Sequence, residues 1–188
     1  MGTSTKSSHE QLGFSMVEVL VTLIILLVGL LGLAGLSIQA QRSQMESYQR
    51  VQALVLLDDM VERINANRAN VASYVTTNIG DPADGQPAAN VCPTLLTIAA
   101  RDLCEWSNAL KGVSEQKSGV GSVGTLAGGR GCITYDAASR IAVISVAWQG
   151  LGETVAPPAS LNCGAGLYGS ETRRRVVSLP VRIGCLTC

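Results

Sequence analysis

The chain has 188 residues, enough for one ordinary domain with an appendage and too few for two enzymes. Hydrophobic residues make up 47% of it against 4% aromatic and 15% charged, which excludes disorder over most of the length and puts the apolar content in aliphatic and small side chains. Lysine plus arginine equals aspartate plus glutamate at 14 each, so nucleic acid is not an expected partner on global charge and any charge-based function must be local.

The first 13 residues are hydrophilic and hold the only histidine, His9. Apolarity begins abruptly at Phe14 and runs for 23 residues to Leu36, with Glu18 as the single charge. At about 1.5 Å per residue such a helix spans roughly 34 Å, enough to cross a bilayer core of about 30 Å. A secretory signal has a basic start, a short apolar stretch and a small-residue cleavage site after it. Here the small residue, Gly13, comes before the apolar run, and the residues after Leu36 continue as helix formers. The apolar segment is therefore expected to be retained.

Glu18 is costly in those surroundings and needs a cation at its own depth. A cut between Gly13 and Phe14 would create an α-amine about one helical turn away. Among parallel helices with a small axial stagger, the carboxylate of one subunit can meet the amine of another, which would make Glu18 a register device. Gly13-Phe14-Ser15-Met16-Val17-Glu18 followed by an aliphatic run resembles the cleavage and N-methylation motif of type IV pilins and type II secretion pseudopilins. The resemblance implies cleavage after Gly13 by the prepilin peptidase, methylation of the Phe14 amine, and a helix that forms a filament core. The mature chain would have 175 residues and, with His9 removed, no imidazole, which disfavours Ser-His-Asp and Cys-His chemistry.

Gly29, Gly32 and Gly35 suit either close helix packing or a segment able to melt. Beyond Gln39, Met45, Tyr48, Val51 and Val55 share one face, with Leu54, Leu57, Val61 and Ile64 beside it. An amphipathic stem is expected that ends near residue 72. One helix of about 59 residues and roughly 88 Å, or two helices jointed at the glycines, would both fit. Residues 75–92 carry turn signals and read as a loop. Cys92-Pro93 then opens a second helix with Leu95, Ala99, Leu103, Trp106 and Leu110 on one face.

Strands are predicted over 131–135 and 140–148, joined by a hairpin loop at 136–139. In the second of these Ile141, Val143 and Ser145 face one way and Ala142, Ile144, Val146 and Trp148 the other. A third strand, 174–182, contains Pro180 and belongs at a sheet edge. The expected fold class is α+β: leader 1–13, membrane-spanning or filament-core helix 14–36, amphipathic stem 37–74, and a head 75–188 with a small antiparallel sheet packed on the stem. Asp102, Trp106, Leu110, the stretch Leu126-Ala127-Gly128-Gly129-Arg130-Gly131 and the strand end Val146-Ala147-Trp148 resemble the pattern of minor pilins of the PilV kind.

Three further motifs admit competing readings. Gly119-Val120-Gly121-Ser122-Val123-Gly124 fits the dinucleotide fingerprint literally but lacks its strand, helix and acidic residue, and reads as a turn-rich loop. Six cysteines, Cys92, Cys104, Cys132, Cys163, Cys185 and Cys188, read as disulfides in an oxidising compartment, not as metal ligands. Cys92 with Cys104 is the expected bridge, and a C-terminal cysteine, paired with an earlier one, is expected to staple the tail strand. Arg173-Arg174-Arg175 reads as a solvated strand edge.

No catalytic residue, metal or cofactor is expected. By the resemblance, the chain is a structural minor pilin that primes pilus assembly near the tip and supports twitching motility and adhesion. Its expected location is the inner membrane with a periplasmic head, then the pilus. Its expected partners are other minor pilins, the major pilin, the prepilin peptidase, the inner-membrane assembly platform, and lipid before assembly. The alternatives are a secretion pseudopilin, or a membrane-anchored periplasmic thiol redox or binding protein using Cys185 and Cys188.

Overall fold

Helix α1 runs unbroken from Met16 to Ala66, straight through Gly29, Gly32 and Gly35, so the jointed alternative does not occur. The computed structural model describes residues 15–113, 116–117, 121–122 and 126–184. The chain divides into two units, Met1–Ser43 and Gln44–Cys188. In the first, every described side chain is exposed, and the helix is long and apolar enough to cross a membrane.

In the second unit α1 buries Gln49, Ala53, Leu57, Met60, Val61 and Ile64. Their spacings of three and four residues define the stripe that faces the core. The other apolar face differs: Met45, Tyr48, Val51 and Val55 are each more than half exposed. The helix also ends earlier than its composition implied, at Ala66 and not near 72. Asn67 leaves the helical region at φ −120°, ψ 38°, and a tighter 3₁₀ segment, Arg68–Tyr74, comes after it. Asparagine side chains supply the reason, since they offer the chain non-helical partners. Asn70 Nδ2 donates to Asn67 Oδ1 at 2.8 Å, and Asn67 Nδ2 donates to the Tyr74 hydroxyl at 3.0 Å.

The segment read as a loop contains a strand, β1 (Thr76–Ile79), built from β-branched residues in a run too short to stand out. Asp84 organises the turn after it. Its buried carboxylate accepts from Lys111 Nζ at 2.7 Å, Ser107 Oγ at 2.6 Å, and the amides of Gly80 and Gln86. Cys92-Pro93 opens only a single 3₁₀ turn, Cys92–Thr94, because Leu95 is extended at ψ 141°. The second helix, α2 (Ile98–Leu110), starts later, with Thr97 Oγ1 capping the Ala100 amide at 3.2 Å. Leu95 therefore lies outside it, while Ala99, Trp106 and Leu110 form its buried side.

After a two-residue pair, β2 (Gln116–Lys117) and β3 (Gly121–Ser122), come the three long strands β4 (Arg130–Asp136), β5 (Ile141–Gln149) and β6 (Arg174–Arg182). The main sheet is antiparallel in the order β1-β4-β5-β6. Pro180 thus sits on an edge strand, where its missing N–H costs no ladder bond. Ala142, Ile144, Val146 and Trp148 face the core, with Ile133, Trp106 and the buried α1 stripe. Ser145 and Ala147, on the opposite face, are also buried, because part of the segment between β5 and β6 folds over them around Cys163 and Tyr168.

Trp106 holds the layers together. It is fully buried, and its indole N–H donates to the Leu56 carbonyl of α1 at 2.8 Å. On its other side it lies so close to Gly131 that a Cβ there would overlap the ring, with Leu110 Cδ1 a further 2.9 Å obstacle. Overpacking of this kind costs about 1–3 kcal/mol. Gly131→Ala should therefore lower the thermal midpoint of the purified protein by several degrees. Gly152→Ala, with nothing within 4 Å, should leave it unchanged, and both are read by circular dichroism.

Candidate functional site

A charge in an apolar helix is the chemical anomaly of this chain, and the structure places it in the first turn of α1. Glu18 is exposed there, and its backbone amide bonds to the Ser15 carbonyl at 3.0 Å. A carboxylate at a helix N-terminus is favoured by the unsatisfied amides around it. Gly13 and Phe14 lie outside the described residues.

The residues that carried the second resemblance come together where α1 meets α2. Arg63 is bonded to Asp59 at 3.0 Å, Asp102 at 3.1 Å and Glu105 at 2.6 Å. Asp102 also accepts from the Tyr74 hydroxyl, which Asn67 supports in turn. Asp102 and Trp106 therefore work one turn apart on the same joint, one through charge and the other through packing. The roles of Arg63 and Tyr74 at this joint carry no signal in the sequence, since the Asp102 they share is 39 and 28 residues away.

Among the described residues two disulfides close the head, Cys92–Cys104 and Cys132–Cys163. The first pins the turn before α2 to α2 itself. The second ties β4 to the β5–β6 segment. With these four sulfurs paired to one another, the C-terminal cysteines have no earlier cysteine to join, which corrects the expectation that one of them staples the tail strand to the body. Cys185 and Cys188 lie outside the described residues.

The arginine triplet is not a solvated edge. Arg174 is 3% exposed and bonds to Glu171 and to the carbonyls of Leu161 and Cys163. Arg175 reaches α1, with Nη2 3.2 Å from Glu46, and also bonds to the Gly152 carbonyl. Arg173 alone is exposed, 3.5 Å from Glu153. Sequence cannot separate three identical neighbours, whereas strand alternation and the returning loop give each a different environment. Of the glycine-rich motif, Gly121 and Ser122 form half of a short antiparallel pair and open no helix; the remainder lies outside the described residues. No cluster of metal-ligating side chains occurs among the described residues.

Residues 9–34 match the model of the prokaryotic N-terminal methylation motif, and residues 35–106 match the family described as type IV pilin Tt1218. Both matches support a type IV pilin. The longer one ends at Trp106, so it spans the rest of α1, Tyr74, β1 and the part of α2 that carries Asp102. A long apolar N-terminal helix followed by a four-stranded antiparallel sheet is the type IV pilin fold, and a pilin is a structural subunit, not an enzyme. The searches of curated proteins and of solved structures return no match.

The head also loses stability in alkali. Burial, and then the bond to Asp102, push the Tyr74 hydroxyl up to about 12, and burial pushes Tyr168 up to about 12 as well. Unfolded tyrosine titrates near 10, so between about pH 10 and 12 the folded state holds protons that the unfolded state has released. The tyrosines' contribution to stability should be constant below about pH 10 and be lost through that window. Tyr74→Phe should flatten part of the slope, as measured by urea unfolding at each pH.

Proposed function

We propose that the chain is a minor pilin whose N-terminal helix passes from lipid into a filament core. The carrying observation is Glu18 in the first turn of an exposed apolar helix, four residues after Phe14 of the Gly13-Phe14 pair that the methylation-motif match includes. On this reading the prepilin peptidase cuts after Gly13 and methylates the Phe14 amine. The helix then waits in the inner membrane as a single span with the head in the periplasm. The assembly platform lifts it out, and the cost of an unpaired carboxylate in an apolar bundle is relieved only when the amine of an adjoining subunit reaches Glu18.

The remaining features support the same role. Met45, Tyr48, Val51 and Val55 form an exposed apolar face that prolongs the N-terminal segment's demand for a neighbouring helix. The two disulfides suit an oxidising compartment outside the cytoplasm. The likeness of Asp102, Trp106, Leu110, the Leu126–Gly131 stretch and the strand end Val146-Ala147-Trp148 to minor pilins of the PilV kind supports a subunit that joins other minor pilins and the major pilin to prime assembly near the tip, and so serves twitching motility and adhesion.

The intact mass of the membrane-extracted protein tests the processing: loss of residues 1–13 and gain of one methyl group are expected, and a retained leader would overturn the reading. Glu18→Ala should leave cleavage intact and lower recovery in sheared pili by an order of magnitude or more, as expected when one charge of a buried pair is left alone. A secretion defect with normal pili would instead point to a pseudopilin.

A further inference from the structure

Three arginines belong to one corner of the head, near the end of α1. Arg182, at the end of β6, is paired in register with Ile141, and the Arg140 carbonyl accepts from the Ile183 amide at 2.9 Å. A Cβ built on Gly184 would lie 3.8 Å from Arg68 Nη1, which brings the third guanidinium to the same corner. Arg68, Arg140 and Arg182 are all exposed, and none has a salt-bridge partner among the described residues, unlike Arg63, Arg130, Arg173, Arg174 and Arg175. The carboxylate nearest this corner in sequence, Asp136, is taken up by its own turn, accepting from Ser139 and Ala138. The corner is a local positive patch on a chain of zero formal charge.

The compensating negative charge lies on α1 just before it. Asp58 and Glu62, one turn apart and exposed, likewise have no salt-bridge partner among the described residues. Beside them Asp59, Asp102 and Glu105 share the single Arg63, which leaves that flank in carboxylate excess.

We propose that the basic corner of one subunit docks on the acidic α1 flank of the next, a second copy of this chain. The argument is charge complementarity together with an axial offset. For Arg68 to meet the neighbour's Glu62, the neighbour must be shifted toward the carboxyl end by six residues, on the order of 10 Å. A contact between two different patches is heterologous, so it propagates along a helix and does not close into a dimer. The inference rests on the pilin reading but not on the subunit's abundance. Being between exposed charges, the contact is screened by salt.

The test uses the full chain, overproduced so that copies meet, with Arg68→Glu, Glu62→Arg and the double variant compared with wild type. Membrane level and leader cleavage verify that each exposed substitution leaves folding intact. Each single reversal should reduce the amount recovered in sheared filaments about fivefold or more, and the double reversal should return it to within about twofold of wild type. Undiminished single variants would overturn the proposal. So would a double variant as poor as the singles, which would show that the corner faces a different chain. Wild type absent from filaments would overturn the pilin reading and this contact with it, an outcome visible without any variant.

Discussion

The head depends on one ring. Trp106 can lie this close to the sheet only because residue 131 has no side chain, and its N–H bonds to the Leu56 carbonyl of α1. Helix, helix and sheet therefore have a common point that tolerates no added atom. The polar cluster of Arg63, Asp102, Glu105 and Tyr74 lies beside it and makes the orientation of α2 specific. Packing supplies most of the energy there, because a cluster that is partly open to solvent gives each ion pair little net worth.

The same division of labour recurs at the far side of the sheet. A chain with 4% aromatic residues has little bulk to bury, and the head covers the second face of the sheet with a chain segment instead of a helix. That segment has no regular hydrogen-bond ladder of its own. Arg174 provides a substitute by donating to two of its carbonyls while paired with Glu171, and Cys132–Cys163 fixes it covalently. A buried arginine whose donors are occupied by carbonyls and one carboxylate meets the condition under which burying such a charge is tolerable.

In the amino-terminal unit the constraint is reversed: nothing within the described chain covers it. A helix whose apolar side chains are all exposed must find lipid or other helices, and a carboxylate within it must find a cation. On the proposed reading polymerisation would satisfy both needs at once, which would link the anomaly in the sequence to the role of a filament subunit.

Legibility in the sequence tracks the range of the interactions. Periodicity and composition alone determined the apolar helix, the core face of β5, the edge position of β6 through Pro180, and the anomaly at Glu18, because each depends on residues within a turn or a strand of one another. The end of α1, the strand at Thr76–Ile79 and the late start of α2 escape a local reading, because short runs of asparagine, threonine and proline leave competing conformations nearly equal. Only the tertiary structure decided that Cys132 joins Cys163, that Arg174 is buried while Arg173 is not, that Glu46 meets Arg175 across 129 residues, and that Arg68, Arg140 and Arg182 converge on one corner. Those outcomes depend on which distant segments the core brings together, and no local pattern of side chains encodes a distance through space.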